Sequence, residues 1–150
     1  MTVKDEIDDR ILRVLSGDGR ISNIELADKV GLSPSACLRR VRDLEESNVI
    51  RGYRAVLDPD QTGRGFVAVV MVGLNNHSTD SQLSFERAME KAEDVIQCLN
   101  ITGVVEYMLR VECADLAAYK RFHSDVLGRL EQVNAITTHV VMGAPKDLRQ

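Results

Sequence analysis

The spacing of apolar side chains changes along the chain, and the change divides it in two. From Lys4 to Leu15, Ile7, Ile11, Val14 and Leu15 recur at three- and four-residue intervals, the stripe of an amphipathic helix. Asp5, Glu6, Asp8 and Asp9 make its first turn acidic, which suits the positive end of a helix macrodipole, and Gly17 and Gly19 break it. Beyond residue 65 the period shifts. Phe66 to Leu74 (FVAVVMVGL) is a continuous apolar, β-branched run and reads as a strand. Ser81 to Glu93 sets Leu83, Phe85, Ala88, Met89 and Ala92 among charges and reads as a helix. Val95 to Ile101 and Glu106 to Val111 alternate as strands about a Thr102-Gly103 turn. Asp115 caps a helix marked by Leu116, Tyr119, Phe122, Val126 and Leu130, and Val133 to Met142 forms the last strand. This βαββαβ order predicts a ferredoxin-like antiparallel sheet with two helices on one face. The other face is left bare although its first strand is apolar throughout, so it predicts a second copy as its cover. Val70 is the expected interface position, with Val69 one register step away.

Between these halves lies ISNIELADKVGLSPSACLRRVRDLEES, residues 21 to 47, in which capping chemistry is written twice. Ser22 and Glu25 form a capping box, with Ile21 and Leu26 at the staple positions. Ser33 is a second N-cap, Pro34 falls at N1 where its missing N–H costs nothing, and Leu32 and Cys37 can staple. Gly31 suits the left-handed position that ends one helix and turns into the next, and the small Ala27 lets the two cross closely. The result is a helix-turn-helix. On its second helix Cys37, Val41 and Leu44 share the face to be buried, while Ser35, Arg39, Arg42 and Glu46 share the opposite one, flanked by Ala36 and Asp43. Two arginines three apart near a helix N-terminus present forked donors to guanine edges or phosphates in a major groove. Ser22, Ser33, Ser35, Ala36, Arg39, Arg40, Arg42, Arg51 and Arg54 are therefore the candidate DNA-contacting residues. Arg40 stands about 100° round the wheel from Arg39, toward the buried flank, where it pairs with an acid or a phosphate at the side. Arg51 and Arg54 sit in NVIRGYRAVLDPD, read as a short hairpin or extended strand, a wing beside the DNA backbone. Asp58-Pro59-Asp60 and Gly63 to Gly65 punctuate the chain, which divides into a winged helix-turn-helix domain over 1–60 and a βαββαβ domain over 61–150, an α+β protein.

Composition changes this picture little. Apolar content of 44% and charged content of 28% are those of an ordinary globular protein. No apolar run reaches the ~18 residues of a membrane span, and MTVKDEIDD is too acidic for a signal peptide, so a cytoplasmic location is expected. Charge matters more. The net value of −4 opposes a nucleic-acid partner, yet residues 20 to 54 hold seven cations and five anions, a local +2. A monomer so charged binds DNA poorly, which favours an oligomer.

Catalytic and metal chemistry find no foothold. His77, His123 and His139 fall on a loop, a helix and a strand with no ligand spacing, and no GxSxG, P-loop or GxGxxG motif occurs. Cys37, Cys98 and Cys113 are odd in number, far apart and without a CxxC pair, so they read as small buried hydrophobes and neither a disulfide framework nor a zinc site. The reading is of a non-enzyme with no metal and no cofactor.

GRISNIELADKVGLSPSACLRRVRDLE, ITGVVEYMLRV and VNAITTHVVM together resemble the Lrp/AsnC, or feast/famine, transcription regulators over nearly the whole chain. The resemblance implies double-stranded promoter DNA as partner and a dimer through the βαββαβ domain, with further assembly to tetramers or octamers. It implies an amino-acid effector and control of amino-acid metabolism or transport genes. The effector stretch it implies is Thr102, Gly103, Val104, Val105, Glu106 and Tyr107. There the family's Gly-Asp-x-Asp becomes Gly103-Val104-Val105-Glu106, which removes one acid, lengthens the other and adds apolar surface. Glu106 is left for the ammonium and the Gly103 amides for the carboxylate, so a neutral hydrophobic amino acid such as leucine, methionine or an aromatic is expected. An effector-independent architectural DNA binder is the alternative.

Overall fold

Residues 5–147 are described by a computed structural model. Lys4, the expected start of the first helix, lies outside them. The helix itself, α1, runs Glu6–Gly17. Its N-cap is Asp5, whose Oδ1 accepts from the amides of Ile7 at 3.0 Å and Asp8 at 2.9 Å. α2 (Asn23–Val30) and α3 (Pro34–Glu46) follow, capped by Ser22 and Ser33. Gly31 joins them at φ 74°, where a residue with a Cβ is strained, and Leu32 donates back to the Ala27 carbonyl at 2.9 Å. Ile11, Leu26, Ala27, Val30, Cys37 and Leu44 form the buried core of this three-helix unit. Beyond the C-cap Ser47 of α3, Asn48 stands at φ 58°, a left-handed conformation that asparagine tolerates. One expectation fails here. Residues 51–58 pair into neither a hairpin nor a strand; instead Tyr53 donates its hydroxyl to Glu45 Oε1 at 2.8 Å, returning the segment to α3.

The second unit is organised by β1 (Phe66–Leu74), one of the two central strands of its sheet. Next along the chain come α4 (Thr79–Lys91), β2 (Val95–Asn100), β3 (Tyr107–Cys113), α5 (Leu116–Asp125), a 3-10 turn over Leu127–Arg129 and β4 (Val133–Val140). The strands lie in the order β2-β3-β1-β4, all pairings antiparallel. α4 begins two residues earlier than its apolar pattern suggests, because Ser78 is the cap and accepts from Ser81 N at 3.2 Å. Leu116, expected in the apolar stripe of α5, is exposed at the helix start. β4 ends at Val140, where the ladder to β1 runs out opposite Ala68.

Alternation along β1 sorts the two faces. Ala68, Val70, Val72 and Leu74 are buried in one core with Phe85 and Met89 of α4, Tyr107, Leu109 and Val111 of β3, and Tyr119 and Phe122 of α5. The Tyr119 hydroxyl is hydrogen-bonded to Thr138 Oγ1. Val67, Val69 and Met71 point the other way, paired in register with Glu112, Arg110 and Met108. Val70, the expected interface position, is thus a core residue with none of its surface exposed, and Val69 belongs to the open face. Cys37 and Cys113 are buried and Cys98 half-buried, all as free thiols; burial foremost pushes Cys98 and Cys113 up to about 11. The chain divides between Ala55 and Val56 into two compact units.

Candidate DNA-reading surface and effector loop

The turn that carries α3 is held by more than its caps. The Ser22 hydroxyl donates to Glu25 Oε2 at 2.7 Å and accepts from the Glu25 amide at 3.2 Å, while Ser33 Oγ accepts from Ala36 N at 3.3 Å. Asn23, which sequence reasoning passed over, donates from Nδ2 to the Pro34 carbonyl at 2.8 Å and ties the first turn of α2 to the first turn of α3. An asparagine directly after an N-cap serine was the available signal. With that bond in place the N-terminal end of α3 is fixed by neighbouring helices, which is what positioning a groove-reading side chain requires.

On α3 itself the expected faces are as read. Ser35, Arg39, Arg42, Asp43 and Glu46 are exposed, Ala36 half-buried, and Cys37 and Leu44 buried. Arg39 and Arg42 are therefore carried together on the solvent side of a capped helix. Arg40 parts from them. Its Nη1 lies 2.8 Å from Asp5 Oδ2 and 2.8 Å from Asp8 Oδ1, so the guanidinium assigned to DNA is held by two acids of α1. The reason is geometric: a residue one step from Arg39 turns toward the neighbouring helix and meets the carboxylates there. The acidic first turn was legible in sequence; its partner was not. Arg51 and Arg54 are exposed on the segment that lacks strand pairing.

The candidate effector loop joins β2 to β3. Ile101 donates to the Glu106 carbonyl at 2.8 Å, and Gly103 adopts φ 130°, a conformation a side chain would strain. Val104 is fully exposed and Thr102 exposed, with Val105 half-buried. Glu106 turns inward. Its amide donates to the Val72 carbonyl at 3.2 Å, its Oε2 accepts from the Leu74 amide at 2.6 Å, and its Oε1 lies 3.3 Å from His77 Nδ1. The carboxylate assigned to a ligand ammonium is thereby already bonded at the end of β1. Tyr107 leaves the loop altogether: it is fully buried on the helix side of the sheet, with its hydroxyl donated to Glu86 Oε1 at 2.7 Å. Burial, followed by that bond, pushes its phenol up to about 12. Alternation is the cause, since residue 107 shares the inward face with Leu109 and Val111.

His123 lies on α5 with its ring 6.2 Å from that of Tyr119, and His139 is exposed on β4. Among the described residues no three His, Cys, Asp or Glu side chains gather as a metal site, and no helix is long and apolar enough to cross a membrane.

Comparison with known proteins places this geometry. Residues 67–150 match the Lrp/AsnC ligand binding domain, and residues 4–51 match a winged helix-turn-helix DNA-binding domain. The leucine-responsive regulatory protein of Escherichia coli K12 is 41% identical over 138 residues, 92% of this chain and 84% of its own. A transcriptional regulator of Neisseria meningitidis, solved in complex with L-methionine, superposes at a TM-score of 0.91 with 33% identity, over 95% of this chain and 92% of that one. A feast or famine regulatory protein of Mycobacterium tuberculosis, also complexed with L-methionine, superposes at 0.84 with 29% identity over 97% of both chains. The capped helix-turn-helix, the βαββαβ sheet and matches that span both halves make one assignment: this chain belongs to the Lrp/AsnC family of DNA-binding transcription regulators.

Proposed function

We propose that the protein is a sequence-specific regulator that binds promoter DNA as a homo-oligomer and answers to a neutral hydrophobic amino acid. The observation that carries the reading is α3, a helix fixed at its N-terminus by Ser33 and Asn23 that exposes Arg39 and Arg42 side by side. Arg39 and Arg42 read base edges or phosphates, Ser35 and Ala36 lie near the bases, and Ser22 and Ser33 present helix N-termini to the backbone. Arg51 and Arg54 add phosphate contacts from the segment after α3. Residues 1–60 perform this task, and residues 61–150 assemble the protein and sense the ligand. The open sheet face around Val69 and Met71 packs on a second copy. Dimers, or tetramers and octamers built from them, then present paired reading helices to half-sites about one helical turn apart.

Residues 102–106 receive the effector, the Gly103 amides meeting its carboxylate. Val104 supplies apolar surface, which supports leucine, methionine or an aromatic over a cationic ligand. The L-methionine complexes of the Neisseria and Mycobacterium relatives support the same class. The targets are genes of amino-acid metabolism or transport, in the cytoplasm. The inward engagement of Glu106 favours a second reading, an architectural DNA binder without an effector. Fluorescence anisotropy on a genome-selected duplex, titrated with each common amino acid, separates the two. The regulator reading expects a shift with leucine, methionine or an aromatic, and loss of about 1–3 kcal/mol on Arg39→Ala. Unchanged affinity in both Arg39→Ala and Arg42→Ala defeats the assignment of α3.

A further inference from the structure

Arg40 needs one acid, and it has two. Asp8 is the obligatory partner: its carboxylate is 6% exposed, and it also accepts from the Asp5 amide at 3.4 Å to close the α1 cap. A buried carboxylate without a cation is costly, so the Asp8–Arg40 pair explains itself. Asp5 is different. Its side chain is 45% exposed, its capping work is done by Oδ1 alone, and Oδ2 is spent on Arg40. Two carboxylates on one guanidinium leave this cluster with a formal charge of −1, on the flank of the helix that has to approach a polyanion.

The distance makes that charge felt. An α-helix with side chains is about 10–12 Å across, and the screening length is about 10 Å at 0.1 M salt. A group a quarter-turn from Arg39 therefore acts on the phosphates that Arg39 and Arg42 reach. We propose that Asp5 is a specificity-determining residue acting through Arg40: Asp8 keeps its own bond to Nη1, and Asp5 takes the remaining bond there that a backbone phosphate would otherwise take, which suppresses binding to DNA of arbitrary sequence. The ligand concerned is the duplex sugar–phosphate backbone, and the inference rests on the reading of α3 as the DNA-reading helix. Sequence-independent binding is almost wholly phosphate neutralisation. Without Asp5, a complex lacking base contacts can shift until a phosphate takes its place on Arg40, beside the retained Asp8 bond. A cognate complex is held in register by its base contacts and cannot follow. Removing the Asp5 charge thus strengthens the wrong complexes more than the right one.

The test is Asp5→Asn in the full-length protein. Asparagine caps a helix as well as aspartate does, so α1 is preserved while the carboxylate charge bonded to Arg40 is halved. Affinity for a random-sequence duplex and for a genome-selected duplex is followed by anisotropy across a salt series. One added phosphate contact steepens the salt dependence by about 0.9, worth about eightfold at 0.1 M relative to 1 M salt. The random duplex is expected to gain this, the selected duplex less, and the ratio between them to fall. Glu6→Gln removes the same unit of charge from an exposed position on α1 with no bond to Arg40, and is expected to leave the slope unchanged. An equal effect from Glu6→Gln, or an unaltered slope in Asp5→Asn, overturns the proposal. Loss of both affinities together with a lower melting point also overturns it, since Asp5 is then only a structural tie; Asp5→Ser, a second neutral cap, repeats the measurement. If Arg39→Ala leaves selective binding intact, the assignment of α3 has failed, which is a separate outcome.

Discussion

Met71 and Val70 are chain neighbours with opposite fates, and substituting each with aspartate separates assembly from folding. Val70 is enclosed among Val72, Phe85 and Leu109 on the helix side, whereas Met71 stands on the open face opposite Met108 and Thr137. Met71 is a cleaner probe than Val69, which lies between Arg110 and His139, where a new carboxylate would find a cation. Burying a methionine or valine side chain is worth about 1.5–3 kcal/mol, and a two-fold interface buries two copies, so Met71→Asp forfeits about 3–6 kcal/mol before any desolvation of the new charges. At 1.4 kcal/mol per decade this weakens dimerisation at least a hundredfold. Sedimentation velocity over a concentration series should show Met71→Asp as a monomer with native circular dichroism and weakened operator binding. Val70→Asp puts an unpaired carboxylate in a dry core and should fail to fold at any concentration. Wild-type assembly of Met71→Asp at low micromolar concentration refutes the open face as the interface, and a folded Val70→Asp refutes the register.

Two further outcomes follow from buried groups in the ligand-binding domain. Glu106→Ala strands the Leu74 amide and should cost about 1–3 kcal/mol of stability, while Glu106→Gln keeps an acceptor there and should weaken only the effector response; equal damage in thermal melts of the two would contradict the bond. Two tyrosines are held neutral by burial first, with Tyr107 pushed up to about 12 and Tyr119 raised. Because the folded state keeps protons that the unfolded chain releases near pH ~10, this stabilisation is complete below that pH and is lost as pH rises toward 12. Absorbance at the tyrosinate band should therefore rise less through pH ~10 than three free tyrosines would give, and full titration there would count against the packing of Tyr107.

Legibility in the sequence followed the range of the interaction. The helix-turn-helix was readable because capping is local: Ser22, Glu25, Gly31, Ser33 and Pro34 act within a turn of themselves, and each stands in the structure as its neighbours dictate. The βαββαβ order was readable because a period of two and a period of 3.6 survive in one dimension. The family's pattern covered both halves, and the comparisons bore it out. Tertiary structure alone decided what depends on partners far along the chain. Arg40 is 32 residues from Asp8, and Glu106 is 32 residues from Leu74; no local rule brings either pair together. The facing of Val70 and Tyr107 was undecided for a related reason. A strand apolar at every position has no polar residue to mark its wet side, so only packing against α4 and α5 chooses which set is buried.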